Sequence, residues 1–358
     1  LDENGQPAAS VEAKSPAGDV IGTYTVDKDT GLVTFTPTDK SYSGDVVPVK
    51  VQAADTNGTT VETTYTPKIT PVVPTSEDAT STDIQGQTQS GKPTFTEGNP
   101  NVPIDEDTPA TFEDGSTTKT VDGEGTYTVS PDGTVTFVPE KSFTGTASGV
   151  TVKRVDKNGT EITAKYTPTV TPITVTPTDK VSADVQNVPQ TQTPTFDLSS
   201  DKTAKITSKK LVDPATGQPT DETTVTVAGE GSYTIDPTTG AVTFTPEKDF
   251  VGTAAGVTVQ ATATITNANG KTATITSDAT YTPTVVAAVP TAKPATSKDI
   301  QGATQTGTPT FAGTTVQVNG EDKAITIKDN SYTLLDNDGN EVTSTPAYPA
   351  ADGEISEG

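Results

Sequence analysis

The chain has 358 residues, and its 47 Asp and Glu against 23 Lys and Arg give a formal net charge of −24. Phosphate binding needs a clustered positive surface, so this charge argues against nucleic acid or an anionic membrane as a partner. Cys, His, Met and Trp are absent, which removes disulfides and the usual ligands and bases of zinc, haem and Cys or His catalysis. No apolar run reaches the about 18 residues of a membrane span, so we expect no membrane insertion in this fragment.

The first predicted element is a β-hairpin over residues 22–37, which recurs at 125–139 and 231–246. Each copy consists of two runs in which Thr alternates with a larger apolar residue, separated by a turn rich in Asp, Pro and Gly. Period-two alternation places one set of side chains on a buried face, and the turn residues supply the backbone geometry of a hairpin. A chain that repeats such a unit is predicted to be an array of small β domains.

A second alternating pair follows in every repeat and ends in Tyr-Thr-Pro. In two repeats the turn of this pair reads Asn-Gly-Thr, which also matches an N-glycosylation sequence. Because the turn lies at the same position in each repeat, we favour a hairpin turn. Each repeat is therefore predicted to contain two hairpins. The turns carry Asn-Gly, the strongest short hairpin signal, at Asn57-Gly58, Asn158-Gly159 and Asn269-Gly270.

The stretch between Tyr-Thr-Pro and the next Pro-Thr-Phe keeps a constant length, whereas spacing inside the repeats varies. Prolines occur throughout it, and Pro-rich linkers are extended and semi-rigid. We interpret residues near 67–93, 168–194 and 283–309 as Pro/Thr-rich junctions that fix the placement of neighbouring modules. The equal intervals run from Tyr65 to Phe95, from Tyr166 to Phe196 and from Tyr281 to Phe311.

Most aromatic residues lie on repeated positions, with Phe112, Tyr332 and Tyr348 as the exceptions. Repetition favours a role in the core over a ligand-stacking surface. The predicted structural core of the repeats consists of Tyr24, Phe35, Tyr42, Tyr65, Phe95, Tyr127, Phe137, Phe143, Tyr166, Phe196, Tyr233, Phe244, Phe250, Tyr281 and Phe311.

These patterns predict an all-β fold, an elongated tandem array of Ig-like or related β-sandwich modules of about 100 residues each. Complete repeats are predicted at 84–183 and 184–299. Residues 1–73 would be the C-terminal part of a module, and residues 300–358 the N-terminal part of another. Because the chain starts and stops at nearly the same phase of the repeat, we expect a fragment of a longer array.

The best copy of the repeat runs from Gly125 to Val170. It contains Gly-x-Tyr-Thr-Val-x-Pro-x-x-Gly-x-Val-Thr-Phe-x-Pro, then Phe-x-Gly-Thr-Ala-x-Gly-Val-Thr-Val, Asp-x-Asn-Gly and Tyr-Thr-Pro-x-Val. In this order and spacing the motifs resemble the CshA-type fibril repeat of Gram-positive bacterial cell-wall-anchored adhesins. The first copy departs from the pattern at Asp45-Val46-Val47-Pro48-Val49, and the third inserts residues around Asn267 to Lys271.

The resemblance implies a structural segment of a bacterial surface fibril, extracellular and anchored to the cell wall through a region outside this fragment. Such a segment is a semi-rigid stalk that projects an adhesive tip, and its partners are the neighbouring repeats of the same chain. The alternative is that the repeats bind host extracellular-matrix glycoproteins, such as fibronectin, or other bacterial cells directly through multivalent weak contacts. No enzyme is predicted, since no catalytic, cofactor or metal site stands out.

Two acidic stretches are candidate sites. Asp336-Asn337-Asp338-Gly339-Asn340-Glu341 resembles the start of a calcium loop, but its twelfth position is Ala347 instead of the bidentate Glu, which favours a turn. The run Asp105-Glu106-Asp107 is not repeated and has no partner motif, which favours a solvated loop.

An intramolecular isopeptide crosslink is a further alternative. It would join Lys50, Lys153 or Lys165 to Asn57 or Asn158 near a buried acid. No Lys/Asn/acid triplet recurs in every repeat, so the sequence gives this alternative little support.

Overall fold

The hairpins form where the Thr-rich alternation predicts them. The structure is a computed structural model that describes residues 1–2 and 4–344. These residues contain strands and no helix, so the predicted all-β fold class is confirmed. Residues 345–358 of the predicted partial repeat 300–358 lie outside the described residues.

The chain divides into two compact units. The first unit consists of residues 1–174, 198–205 and 264–275. Of the described residues, the second unit contains 175–197, 206–263 and 276–344.

The first repeat has seven strands arranged as one three-stranded sheet, in the order β1-β2-β3, and the two-stranded ladders β5-β6 and β4-β7. A core of buried apolar side chains, including Ile21 and Tyr24, lies between these ladders. The strands are β1 (Ser10–Lys14), β2 (Val20–Val26), β3 (Val33–Pro37), β4 (Gly44–Asp45), β5 (Val49–Ala54), β6 (Thr60–Tyr65) and β7 (Lys68–Ile69).

The second repeat is a two-sheet sandwich. One sheet has the order β10-β15-β14-β13, and the other has β12-β17-β18-β16 with β9 beside β18. The strands are β8 (Thr75–Glu77), β9 (Ala79–Ile84), β10 (Gln89–Gly91), β11 (Thr94–Thr96), β12 (Thr111–Phe112), β13 (Thr118–Val121), β14 (Gly125–Val129), β15 (Val135–Pro139), β16 (Gly145–Thr146), β17 (Val150–Val155) and β18 (Glu161–Thr171).

The third repeat has the same topology, with β21-β27-β26-β25 facing a sheet that contains β20, β30, β29, β23 and β24. Its strands are β19 (Val175–Thr178), β20 (Lys180–Val185), β21 (Gln190–Gln192), β22 (Thr195–Leu198), β23 (Ala204–Asp213), β24 (Gln218–Pro219), β25 (Thr224–Val227), β26 (Gly231–Ile235), β27 (Val242–Pro246), β28 (Gly252–Thr253), β29 (Val257–Thr266) and β30 (Thr272–Val286).

The fourth repeat contains three two-stranded ladders, β31-β32, β33-β34 and β35-β36, within its described residues. These strands are β31 (Thr291–Lys293), β32 (Thr310–Ala312), β33 (Thr314–Val318), β34 (Glu321–Ile325), β35 (Leu334–Leu335) and β36 (Glu341–Val342).

Alternation fixes which side chains enter each core. Along β14 and β15 the larger apolar residues point inward while most of the intervening Thr residues are less buried, as a pleated strand requires. Gly125 opens β14 because a side chain has no room there. A Cβ at this position would lie 2.7 Å from the ring of Phe137 and 2.9 Å from the Cα of Pro139.

Candidate functional site: the entry and exit strands of each repeat

The predicted aromatic core residues meet inside the second and third repeats. Tyr127, Phe137 and Tyr166 are fully buried in one core, with Phe95 and Phe143 packed against it at its edge. The third repeat uses the corresponding positions in the same way: Phe196, Tyr233, Phe244, Phe250 and Tyr281.

The cross-strand rings stack closely. The Tyr127 and Phe137 centroids are 4.5 Å apart, and those of Tyr233 and Phe244 are 4.8 Å apart. Such pairs stabilise a sheet by about 0.5–1.5 kcal/mol beyond their buried area.

The outer repeats differ from this arrangement. In the first repeat Tyr24 is buried, and Phe35 and Tyr42 pack against its core, but Tyr65 is 38% exposed. In the fourth repeat Phe311 is 47% exposed.

Entry strand β9 and exit strand β18 of the second repeat lie side by side and run parallel. The ladder begins with Tyr166 opposite Ala79 and ends with Thr171 opposite Ile84. In the third repeat β20 pairs with β30 in the same parallel register, from Lys180 opposite Tyr281. Parallel neighbours need a long crossover connection, and here almost the whole module forms that connection.

A buried polar cluster joins these two strands. The hydroxyl groups of Ser81 and Tyr166 are 2.6 Å apart, and Ser81 Oγ donates to Gln89 Oε1 at 2.6 Å. Gln89 Nε2 then donates to the carbonyl of Thr169 at 3.0 Å. We call this set (Ser81, Gln89 and Tyr166) the Tyr–Ser–Gln cluster. It connects the entry strand β9, strand β10 and the exit strand β18 through side chains.

The third repeat has the same cluster. Ser182 Oγ lies 2.7 Å from the hydroxyl of Tyr281 and donates to Gln190 Oε1 at 2.5 Å. Gln190 Nε2 donates to the carbonyl of Thr284 at 2.9 Å. Burial raises the pKa of Tyr281 and likewise that of Tyr166, because a buried phenolate loses its hydration. Both hydroxyls therefore stay protonated and remain available as donors.

An aspartate marks the start of each entry strand. Asp78 Oδ1 accepts the backbone N–H of Lys165 at 2.7 Å, and Asp179 Oδ1 accepts that of Thr280 at 2.7 Å. The sequence interpretation missed these aspartates and the serines of the cluster. The available signal was the constant interval of eight residues between Ser and Gln at Ser81 and Gln89, Ser182 and Gln190, and Ser297 and Gln305.

Within the first unit, the end of the second repeat packs against residues 198–205 and 264–275 of the third repeat. Ile173, Ala204 and Ile265 are buried there. We call this apolar contact the joint cluster, which consists of Ile84, Ile173, Leu198, Ala204, Ile265 and Ile275.

Hydrogen bonds surround the joint cluster. Thr203 Oγ1 donates to the carbonyl of Gln85 at 2.6 Å, and Asn267 Nδ2 donates to the carbonyl of Pro139 at 3.1 Å. The residues that the third repeat inserts around Asn267 thus contribute to this contact. The end of the second repeat and these residues of the third repeat are thus joined both by apolar packing and by directional hydrogen bonds.

The carboxylates of the two acidic stretches interact with nearby cationic side chains or backbone N–H groups. Asp105 accepts a hydrogen bond from the Lys157 ammonium, which lowers the pKa of Asp105 to about 2, and Glu106 lies 3.3 Å from the Arg154 guanidinium. Asp336 Oδ1 accepts the N–H of Asn340 at 2.8 Å within its own turn. No group of three or more acidic residues in the described part of the chain is arranged to hold a metal ion.

The repetitive domain of the surface adhesin CshA matches the chain four times, over residues 1–69, 71–170, 172–285 and 287–350. The chain belongs to this family of surface adhesin repeats. A CshA repeat domain from Streptococcus gordonii, repeat domain 13, is 64% identical, and the match covers 20% of this chain and 90% of that domain with a TM-score of 0.13. The family describes repeats of adhesins that act at the cell surface.

Other solved structures resemble the CshA repeats only distantly. Drosophila N-cadherin EC1-3 is 13% identical over 80% of this chain and 92% of its own, with a TM-score of 0.23. Human CDH23 EC21-23 is 12% identical over 75% of this chain and 85% of its own, with a TM-score of 0.29. No curated protein matches the chain. The described residues include no helix with the length and hydropathy needed to cross a bilayer.

Proposed function

We propose that this chain is a stalk segment of a surface fibril, whose modules transmit tension and hold an adhesive tip away from the cell wall. The observation that carries the proposal is the parallel pairing of entry and exit strands in both the second and the third repeat. The wall anchor and the adhesive tip would be supplied by other regions of the protein.

Tension along the chain pulls strand β9 toward its N-terminus and strand β18 toward its C-terminus. Because the two strands are parallel, these forces act in opposite directions along one ladder, from Tyr166 to Thr171. The ladder is then loaded in shear, so its hydrogen bonds must break together instead of one after another. The Tyr–Ser–Gln cluster adds side-chain bonds across the same two strands.

The joint cluster supports a semi-rigid stalk. A freely hinged chain of modules would keep such contacts small and polar, whereas Ile173 and Ile265 are buried against one another's repeats. The net charge of −24 would keep neighbouring stalks apart and soluble.

Small-angle X-ray scattering on the chain tests the stalk. A domain of about 100 residues has a radius of gyration of ~13 Å, so modules in line require a maximum dimension on the order of 100 Å or more. A distance distribution that is long and narrow supports the proposal. A compact particle would overturn it.

The second candidate function is direct attachment to host glycoproteins or to other cells by the repeats. Exposed apolar residues favour it, since Phe311, Tyr332, Leu334 and Leu335 of the fourth repeat are all solvent-exposed. Binding of this chain to immobilised fibronectin, lost on Tyr332→Ser, would support attachment by the repeats. Absence of binding at high protein concentration would leave the stalk as the function of this segment.

A further inference from the structure

Arg154 is the only arginine in the chain, in which every other basic residue is a lysine. It lies on strand β17 of the second repeat, and its side chain is only 4% exposed. Arginine is rarely buried without a partner, and its planar guanidinium matches the two oxygens of a carboxylate. A single arginine that is also buried therefore calls for a specific partner.

The neighbouring repeats place alanine at this position. Arg154 lies four residues after Val150, which pairs with Tyr166. The residue four places after the corresponding valine is Ala53 in the first repeat and Ala261 in the third. Ala261 is fully buried in its core. The fold of the repeat thus needs no cation at this point, and among the first three repeats the arginine belongs to the second alone.

The chain segment beside Arg154 also differs between the repeats. In the third repeat strand β23 (Ala204–Asp213) lies beside β29. In the second repeat residues 97–110 form a loop that reaches the end of β17 through an isolated bridge between Ile104 and Asp156. A cleft of about 400 Å³ lies between this loop and Arg154, and all of its lining residues belong to the second repeat. Its size is that of a small-molecule site.

One edge of the Arg154 guanidinium carries two donors, Nε and Nη2. Nη2 donates to the carbonyl of Asp105 at 3.2 Å and lies 3.3 Å from Glu106 Oε2. Nε is buried and has no hydrogen-bond partner among the described residues. Buried polar groups nearly always have a partner. This edge therefore has an unused donor beside one that already contacts a carboxylate.

Glu106 shows where a carboxylate binds and why it can be exchanged. Its side chain is 78% exposed, and an ion pair with one partner in water contributes little to stability. Glu106 leaves Nε unpaired, whereas a ligand carboxylate placed along the same edge contacts Nε and Nη2 together. Such a bidentate pair is stronger and more specific than a single contact.

The other walls of the cleft suit a hydroxylated ring. Phe95 and Ile104 supply an apolar surface for the C–H face of a ring. Glu97 and Asp132 line the same cleft and are exposed. Ionised carboxylates accept hydrogen bonds and do not donate them, so they select groups that donate, such as sugar hydroxyls. Lys92 donates to Asp132 at 3.0 Å and holds that carboxylate in place.

Charge limits the ligand to one carboxylate. The acidic side chains at the rim of the cleft and the net charge of −24 repel a polyanion. The guanidinium of Arg154 at the base of the cleft disfavours a cation. A ligand with one negative charge and several hydroxyl groups satisfies both conditions.

We propose that the cleft beside Arg154 binds a sugar that carries one carboxylate, as a uronic acid does. The carboxylate replaces Glu106 on Nε and Nη2, the ring packs on Phe95, and hydroxyl groups donate to Glu97 and Asp132. The site is independent of the proposed stalk, because it uses neither the parallel ladder nor the joint cluster. It is also separate from the exposed apolar residues of the fourth repeat.

The single arginine makes a direct test possible, because the chain has one arginine Nε–H to observe by proton–nitrogen NMR. Titration of the natural chain with D-glucuronic acid should shift this signal in a saturable manner. D-glucose, which has the ring without the carboxylate, and acetate, which has the carboxylate without the ring, should bind much more weakly. Absence of a saturable shift with glucuronic acid overturns the proposal, and so does equal affinity for acetate or for glucose.

Removal of the competing carboxylate is the second test. Glu106→Gln should strengthen the binding of glucuronic acid several-fold in calorimetry and leave the melting temperature unchanged, since the side chain is exposed. Glu222→Gln removes the same charge from an exposed position of the third repeat and is the matched control, which should bind as the natural chain does. Unchanged affinity in Glu106→Gln, or equal strengthening in both variants, overturns the proposal.

Arg154→Lys keeps the positive charge and removes the bidentate edge. It should weaken the binding of glucuronic acid about tenfold, the effect of losing one charge-assisted hydrogen bond. Urea unfolding of the same variant measures any change in stability separately. An arginine with a purely structural role would alter unfolding and leave the affinity intact, and that result overturns the proposal. The titration of the natural chain does not depend on the folding of this variant.

Discussion

The hydroxyl groups of Ser81 and Tyr166 lie 2.6 Å apart although 85 residues separate them in sequence. Their contact connects the strand by which the chain enters the second repeat to the strand by which it leaves. The same pair recurs as Ser182 and Tyr281 in the third repeat. A bond between the two ends of a module is placed where tension would act.

Replacing Ser81 by Ala should lower both the stability and the unfolding force of the second repeat. The change removes the hydrogen-bond partner of the buried Tyr166 hydroxyl and the donor to the Gln89 amide oxygen. Leaving such a buried polar group unpaired costs about 1–3 kcal/mol of stability. Thermal unfolding and single-molecule pulling on the chain measure the two effects. Ser297→Ala in the exposed fourth repeat is the matched control and should change neither. An unchanged unfolding force in Ser81→Ala would contradict the proposal that the Tyr–Ser–Gln cluster resists tension.

Gly125→Ala should destabilise the second repeat strongly. The new Cβ would lie 2.7 Å from the Phe137 ring and 2.9 Å from the Cα of Pro139, and overpacking against backbone costs about 1–3 kcal/mol. Gly123→Ala is the control, since nothing lies within 4 Å of a Cβ there and only its positive φ opposes the change. Urea unfolding of both variants should show the larger loss for Gly125→Ala, and equal losses would argue against steric exclusion at this site.

Ile265→Asp should loosen the joint cluster without unfolding the repeats. The side chain is fully buried against Ile173 and Ala204, and an isolated carboxylate does not remain in an apolar contact. We expect a broader pair-distance distribution in X-ray scattering than for the natural chain. The melting temperature of the second repeat should change little. Thr262→Asp on the same strand, where the side chain is half-buried, controls for the added charge. An identical scattering profile for Ile265→Asp would mean that the joint is not stiffened by this contact.

Stability should be flat near neutral pH and fall in alkali. The chain has no His or Cys to titrate between pH 6 and 9. Burial raises the folded-state pKa of Tyr127, Tyr166, Tyr233 and Tyr281. The protonated tyrosines stabilise the folded state fully below their unfolded-state pKa of about 10. Above that pH the stabilisation is lost, because the same tyrosines ionise more readily in the unfolded chain.

The alkaline loss amounts to about 1.4 kcal/mol per pH unit for each such tyrosine. Urea unfolding in steps from pH 8 to pH 11, with phenolate absorbance as the second probe, measures it. A phenolate signal that accounts for all nine tyrosines of the chain before unfolding would contradict the burial of these four hydroxyls.

The amino-acid sequence was sufficient to predict the fold class, the hairpins and the family. Thr-apolar alternation favours a half-buried strand, and turns rich in Asp, Pro and Gly favour a hairpin between such strands. For that reason Tyr127 and Phe137 were predictable core partners. The two strands of each hairpin lie within about 15 residues of each other. Over so short a distance the sequence pattern itself indicates which residues pair.

The stretches between the hairpins could not be interpreted from the sequence, because their pairing partners are distant along the chain. Residues near 67–93 were interpreted as a Pro/Thr-rich junction, and the module boundaries at 84–183 and 184–299 stay a prediction. The structure places β9 and β10 in this stretch and pairs β9 with β18, about 85 residues away. A six-residue strand with Asp, Ser and Thr carries no alternation strong enough to mark it. Its stability comes from a parallel ladder and from Tyr166 and Gln89, partners that the chain brings together only when the whole module closes.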